Sequence, residues 1–466
     1  MENDLSHKER EKPIVLTIAG FDPSSGAGLT ADIRTFENIG IYGLAVCTAV
    51  TIQNAEKVAE WMPISKDYIE KQMEILFNSY KIKVVKTGML PNADVIKIIA
   101  DFKNKYGFDL IVDPVTISSS GKRLANIGVE EAMKDVLFPI TTIITPNKHE
   151  AEYFSNKTIT DIFSVEEVAK EISKLGAENV IIKGGHIGEN ENTVIDYLYT
   201  KEFFRFYPRE RVITDKNANV HGTGCVFSSL IAGFYAHGYN VEEAILFSED
   251  YMEDYFKKII PMKAGMVLDV GYSLEELDVL HAVQKISDFI CGNPEFTRFI
   301  PEVRMNISVS KPNAKTINDV AGIDGRITIV SNIPVASGPI RFGKSNHTAR
   351  LLLAAKQFDN SINVVVNLKY SPETILKLSR TQLKIFKVDR HKQSEDVMKI
   401  ENSTMSWIIK YTIDQINQIP DIIFDVGEPE KEPMIRLFAK NSDEMIKKLK
   451  LIISLYKKGA ESKRPE

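Results

Sequence analysis

Cysteine is scarce in this chain. Its 466 residues hold three, Cys47, Cys225 and Cys291, and no two form a C-x-x-C pair. That argues against a disulfide framework and against a zinc site. No apolar run approaches the roughly 20 residues needed to span a bilayer. The opening MENDLSHKEREK is polar and carries no signal peptide. Nor does one charge dominate. Lys and Arg number 58 against 63 Asp and Glu, a formal net charge of -5, so there is no global basic footprint for nucleic acid. These absences predict a cytoplasmic protein that binds neither nucleic acid nor membrane.

What is present is a strong alternation. Hydrophobic residues make up 44% of the chain. From residue 13 onward, short β-branched runs (IVLTIAG, LAVCTAVT, KVVKTGM, DLIVDPV, TTIITPN, NVIIKGGH) alternate with amphipathic helical segments such as KDYIEKQMEILFN. Strands alternating with helices imply crossover units and a mainly parallel sheet, an α/β fold. The apolar runs are nearly continuous, as strands buried on both faces should be. The order frays over residues 261–277, where Pro, Gly and a Ser-x-x-Glu helix start mark a junction. The chain therefore divides into a solvated tail at 1–12, a first domain at 13–265 and a second α/β domain at 275–466.

Sites in open α/β sheets lie at the carboxyl ends of strands. TIAGFDPSSGAGLTAD leaves the first strand through a Gly/Ser-rich loop. Asp113, Asn147 with Glu150, and Lys183 each follow other apolar runs. The sharpest motif is HGTGCVFSSLIAGFYAHG. Gly222, Thr223 and Gly224 precede a helix, so consecutive backbone N–H groups can face one anion. Cys225 falls in the first helical turn, where a thiol is expected to have a lowered pKa.

AGFDPSSGAGLTADI, TGML (87–90), VDPV, TPN and HGTGC together resemble the hydroxymethylpyrimidine and phosphomethylpyrimidine kinases, which have the ribokinase-like fold. The resemblance covers residues 13 to about 260. It implies that Gly20, Asp32, Gln53 and Met89 line a pyrimidine pocket. It places Asp113 and Glu150 at the magnesium and phosphate region, Lys183 at the ATP phosphates, and Gly222, Thr223 and Gly224 at the transferring phosphoryl group, with Cys225 as candidate base. It also implies Mg2+, ATP as co-substrate and a homodimer. Ser24 and Ser25 stand where such kinases often carry glycines. A pyridoxal-type kinase is the neighbouring alternative, and Gln53 and Cys225 fit the pyrimidine kinase better.

In the second domain, GPIRFGKS (338–345) fits G-x-x-x-x-G-K-S, the phosphate loop of P-loop nucleotidases. Such a loop must follow a buried strand and open a helix. Ser345 is a good N-cap and HTARLLLAAKQF a credible helix, but Pro334 is unwelcome in the preceding strand. A nucleotidase is therefore not expected. Arg341, Gly343, Lys344, Ser345, His347 and Arg350 still form a dense anion site, with His347 and Arg350 on one helix face. VAGIDGRI, SGPIRFGKSNHTARLLL and DIIFDVGEPEKEPMIRLF resemble the thiamine-phosphate synthase domain found fused behind this kind of kinase, over about 275 to the end. The resemblance implies catalytic roles for Arg326 and His347. It implies phosphate contacts for Arg341, Lys344, Ser345 and Arg350; Asp425, Lys431 and Glu432 are further candidates, the acids for holding magnesium or the aminopyrimidine. The whole chain then reads as a bifunctional enzyme of thiamine biosynthesis; the alternative is a kinase carrying a non-catalytic sensor domain.

Overall fold

A computed structural model describes residues 12–118, 120–187, 193–211, 220–393, 404–427 and 432–457. The tail expected at 1–12 lies outside these residues apart from Lys12, and so does Lys431. The chain divides into two compact units, residues 1–271 and 272–466.

The first unit is built on a nine-stranded sheet. Its strands are β1 (Ile14–Phe21), β2 (Tyr42–Gln53), β3 (Val58–Pro63), β4 (Val84–Thr87), β5 (Asp109–Val112), β6 (Ile143–Ile144), β7 (Asn179–Ile182), β8 (Thr193–Tyr199) and β9 (Phe204–Glu210). The spatial order is β3-β2-β1-β4-β5-β6-β7-β8-β9. The six central strands are parallel; β3, β8 and β9 add antiparallel edges. Helices cover both faces. Leu16 and Ile18 of β1 enter one core cluster and Val15 enters the other, all three fully buried. This is why the strand carries an unbroken apolar run rather than an alternation. Each such side chain removed from water stabilises by about 1.5–3 kcal/mol. The strand order reverses at β1, with β2 on one side and β4 on the other, so a crevice opens at its carboxyl end.

Residues 261–277 differ from the expected fraying. Ile259–Met262 (β11) and Gly265–Leu268 (β12) form an antiparallel hairpin, and β12 pairs in parallel with Val220–His221 (β10). Gly265, at φ 97°, makes the turn of this hairpin, within the stretch whose Pro and Gly content had marked a junction. The hairpin has a positional consequence: it fixes His221 immediately before Gly222.

The second unit opens with the helix Leu274–Cys291. Ser273 and Glu276 form the capping box that the Ser-x-x-Glu pattern predicts. A seven-stranded sheet follows, made of β13 (Ile307–Ser310), β14 (Val320–Ile323), β17 (Ile340–Phe342), β18 (Val364–Lys369), β19 (Ile385–Lys387), β20 (Ile422–Phe424) and β21 (Met434–Ala439). Its order is β17-β14-β13-β18-β21-β20-β19, antiparallel except for β19 with β20. β15 (Ile327–Val330) and β16 (Ile333–Ala336) form a separate two-stranded hairpin. Pro334 is thus accommodated on a ribbon, where the missing N–H costs no central ladder bond. Val364 and Val366 pack in one cluster and Val365 in another, on the opposite face with the helix His347–Phe358.

Candidate functional site

In the first unit the predicted residues converge on the carboxyl ends of β1, β4, β5 and β7. The helix Thr223–Ala236 starts there. Gly222 is its N-cap at φ 81°, and a Cβ at that position would collide with the carbonyl oxygen of Gly26. Only glycine allows both the backbone sign and this approach. The first N–H groups of the helix have no intrahelical partner and are open to an anion. Asp113, fully buried, lies beside this helix start: its Oδ1 accepts from Lys183 Nζ at 2.8 Å, and its Oδ2 from Ser228 Oγ at 3.2 Å. A Cβ on Gly224 would stand 3.3 Å from Lys183 Nζ, so the glycine brings the helix start and the ammonium together. Burial would lower the Lys183 pKa, but Asp113 and Glu150 hold it raised and charged.

Glu150 caps the helix Lys148–Ser155. It accepts from Asn147 N at 2.8 Å while the Asn147 side chain accepts from Glu150 N at 3.0 Å. Burial and the Asp113 charge push its carboxyl up to about 7, despite Lys183. Among the described residues no three His, Cys, Asp or Glu side chains converge as a metal cage. Asp113 and Glu150 are carboxylates near this helix start; Lys183 and Ser228 already bond Asp113, so a metal there would share its oxygens with them.

Two expectations are corrected here. Asp32 does not line a pyrimidine pocket. It is fully buried, and Lys86 Nζ reaches its two oxygens at 2.8 and 2.9 Å. Ser229 Oγ (2.8 Å) and Thr17 Oγ1 (2.6 Å) complete its shell, leaving no oxygen for a ligand. Cys225 does not have a lowered pKa. Burial pushes the thiol up to about 11; Lys86 opposes this, but the Asp113 and Asp32 carboxylates add to it. The helix start is outweighed by desolvation and two nearby negative charges. Alkylation of Cys225 by iodoacetamide in an otherwise cysteine-free variant is therefore expected to rise about tenfold per pH unit from pH 8 to beyond 10. A plateau reached below pH 8 would contradict a protonated thiol.

The remaining pyrimidine candidates do come together. Gly20 faces Met89, whose sulfur would lie 2.8 Å from a Cβ added at Gly20. Met89 belongs to a small cluster with Ala49, Val58 and Leu124, against which Trp61 and Val115 pack. Gln53, at the end of β2, hydrogen-bonds the carboxylate of Asp22. Sequence reasoning gave Asp22 no role, yet it organises the whole Gly/Ser-rich loop. It accepts from Ser24 N (2.8 Å), Ser24 Oγ (2.7 Å) and Ala27 N (2.8 Å), and it meets His221 Nε2 at 3.0 Å. Burial raises its pKa, but these hydrogen bonds outweigh that and hold the carboxyl well below the usual range. Lys86 and Ser228 were missed as well. The Asp-Pro-Ser-Ser turn signal was the one available hint for Asp22.

In the second unit, the G-x-x-x-x-G-K-S stretch is not a phosphate loop. Residues 340–342 within it are strand β17, paired with β14, so the chain is extended where a cradle must turn. Ser345 is not the N-cap. Asn346 holds that position without a side-chain cap, and Ser345 is fully buried. Its hydroxyl bonds Ser308 Oγ (2.6 Å), Asn306 Nδ2 (3.0 Å) and Thr348 Oγ1 (2.6 Å), which removes it from the expected phosphate ligands. Arg341 is also buried, 3.7 Å from Asp324. Gly343 turns the chain at φ 75°, and Lys344 is exposed beside it.

Arg326, His347 and Arg350 do gather. Arg326 sits at φ 70° in the turn after β14, a left-handed conformation disfavoured for a side-chain-bearing residue. Its guanidinium donates to the Val303 carbonyl at 2.6 Å. Glu432 holds the segment that Arg326 reaches, accepting from Glu302 N (2.9 Å) and Val303 N (3.2 Å). Arg350 Nε donates to Asn346 Oδ1 at 2.6 Å. Burial, then Arg326 and Arg350, lower the His347 pKa, so the three side chains lie near enough to feel one another's charge. Asp425 is fully buried, with Arg390 at 2.9 Å and Arg436 at 2.7 Å. It is thereby withdrawn from the magnesium or aminopyrimidine roles considered for it.

A family model described as phosphomethylpyrimidine kinase matches residues 22–268, and one described as thiamine-phosphate synthase ThiN matches residues 282–451. Similar proteins include the bifunctional thiamine biosynthesis protein ThiDN of Methanocaldococcus jannaschii. It is 31% identical over 448 residues, which cover 95% of this chain and 99% of that protein. The hydroxymethylpyrimidine/phosphomethylpyrimidine kinase of Aquifex aeolicus is 39% identical over 246 residues, 52% of this chain and 94% of that one. Among solved structures, the pyridoxal kinase of Staphylococcus aureus in complex with ADP is 29% identical with a TM-score of 0.51, covering 56% of this chain and 94% of that chain.

Proposed function

Since this chain belongs to the bifunctional family in which a phosphomethylpyrimidine kinase is joined to a ThiN-type thiamine-phosphate synthase, we propose how its two units divide the chemistry. The first unit phosphorylates hydroxymethylpyrimidine and then its phosphate. The second condenses the resulting diphosphate with a thiazole phosphate, releasing diphosphate and thiamine phosphate.

ATP is the phosphoryl donor in this reading. Its terminal phosphates face Lys183 and the backbone amides of Thr223, Gly224 and Cys225; Asp113 and Glu150 would hold a magnesium ion, which would neutralise phosphate charge. Gly20, Gln53 and Met89 border the pyrimidine. A thiol that already holds its proton cannot accept another, so Cys225 contributes as a small group at the anion-binding turn rather than as a strong base. Phosphoryl transfer fits this, because it needs mainly positioning and charge neutralisation. In the second phosphorylation the attacking oxygen belongs to an ionised phosphate and needs little base.

In the second unit Arg326, His347 and Arg350 hold the diphosphate as it leaves, with Lys344 at the rim. Departure of the diphosphate gives a benzylic-type cation on the pyrimidine methylene, which the thiazole nitrogen attacks. The protein's task is to stabilise charge that develops on the leaving group. The gathering of Arg326, His347 and Arg350 is the observation that carries this reading over the sensor alternative. A homodimer and a cytoplasmic location stay within the proposal; exposed Val50, Ile52 and Met62 on β2 and β3 support the former. In one vessel containing hydroxymethylpyrimidine, Mg-ATP and thiazole phosphate, the purified chain is expected to form thiamine phosphate. Accumulation of the pyrimidine diphosphate alone would leave the second unit a binding module.

A further inference from the structure

A row of polar side chains crosses one end of the second unit's sheet. Register places Arg341 opposite Gly322 on β17 and β14, and Asn367 opposite Arg436 on β18 and β21. Between them, Asn367 Oδ1 accepts from Asn306 N at 2.6 Å. Ser345, packed on Asn306, ties this row to the start of the helix that carries His347 and Arg350. The far end of the row is the ion triad. Asp425 Oδ2 accepts from both Arg390 Nη2 and Arg436 Nη1, while its Oδ1 takes Gly427 N at 3.0 Å.

Among the described residues the triad is not balanced. Two guanidinium groups share one carboxylate, and all three side chains are at least nine-tenths buried. A surplus positive charge in such a place is costly unless an anion joins it. Among the described residues, two buried polar atoms at this end of the row have no hydrogen-bond partner: Arg390 Nε and Gln393 Oε1. Buried polar groups are nearly always paired, so the unpaired Arg390 donor beside a charge surplus marks a place shaped for an anionic ligand. Arg390 and Gln393 lie on the same short turn beyond β19.

The synthase reaction brings together two anions, a diphosphate and a phosphate monoester. Arg326, His347 and Arg350 supply one cationic group. From Asn306 to Arg436 is two strand spacings, about 10 Å, which separates a second anion from the first along one sheet face. We propose that Arg390 and Arg436, aligned by Asp425, form the subsite for the phosphate monoester of the thiazole substrate. Asp425 is a positioning residue that splays the two guanidinium groups toward it. The assignment rests on the synthase reading above.

The test uses the full-length chain and the Arg390→Gln variant, which leaves Asp425 paired with Arg436. The KM for thiazole phosphate is expected to rise about tenfold or more, with the KM for pyrimidine diphosphate and kcat little changed. The thiazole alcohol lacking the phosphate should be used equally by both proteins, since the lost contact is to that group. An unchanged KM, or an equal rise for both substrates, would make the triad a structural ion cluster only. Should the variant fail to fold, inorganic phosphate decides with the unaltered protein. Competition against thiazole phosphate supports the subsite, and competition against pyrimidine diphosphate alone overturns it. A wild-type chain that makes no thiamine phosphate rejects the synthase reading itself, a distinct outcome that takes this subsite with it.

Discussion

His347→Ala is expected to leave the full-length chain able to phosphorylate hydroxymethylpyrimidine twice, yet nearly unable to make thiamine phosphate. His347 opens its helix between Arg326 and Arg350, and burial together with those two cations lowers its pKa. It is therefore mostly neutral near pH 7 and donates a hydrogen bond without adding to the repulsion. Losing one donor aimed at developing negative charge typically costs about 10²–10³ in kcat. ADP release reports the kinase, and thiamine phosphate yield reports the synthase, in one reaction. Retention of synthase turnover within a few-fold would remove His347 from the chemistry. The pH profile gives a second readout. A lowered histidine pKa means the imidazole gains its proton only below the ordinary range. Any gain in diphosphate affinity from protonation should thus appear only at pH below the ordinary histidine range, and should be absent from the variant.

Lys183→Met has the opposite pattern. Kinase kcat is expected to fall by about 10³, from loss of the cation at the transferring phosphates, while pyrimidine diphosphate supplied directly is still converted by the second unit. The substitution also strands Asp113, fully buried, without its 2.8 Å partner. Removing one member of a buried pair costs about 3–5 kcal/mol, so thermal unfolding must be followed alongside activity. Lys183→Arg separates the two effects, because it restores the charge for Asp113 but not the compact ammonium geometry. Recovery of stability without full recovery of kcat supports a role at the phosphates. If Lys183→Met keeps its kinase activity, the phosphate-binding assignment is lost.

Residues whose role depends on backbone geometry near them in the chain were the most legible in the sequence. Gly222 had to precede a helix, and it does so at positive φ. Ser273 and Glu276 formed the predicted capping box, and the unbroken apolar runs became strands buried on both faces. Illegible were partners distant in sequence. Nothing around Asp32 announces that Lys86, 54 positions later, will consume its carboxylate. Nothing in the HGTGC motif shows that burial, with Asp113 and Asp32 close by, will raise the pKa of the Cys225 thiol. The G-K-S match misled in another way. Its letters fit a loop, but cross-strand pairing with β14 drew Ile340–Phe342 into a sheet, and that pairing has no short-range signature. Ser345 read as a cap because serine favours that position, yet it was recruited by Asn306 and Ser308 across the sheet. Tertiary partners overrode local propensity in each case.

The Asp32–Lys86 pair carries an implication for the history of this site. Both side chains are sealed from solvent, and each is the other's principal counter-charge. Loss of either alone strands a charge, whereas joint replacement by apolar residues of similar volume can be close to neutral. Single-step drift at either position crosses a deep fitness valley, while a paired exchange does not. The two positions should therefore behave as one heritable character, kept together or abandoned together as lineages diverge.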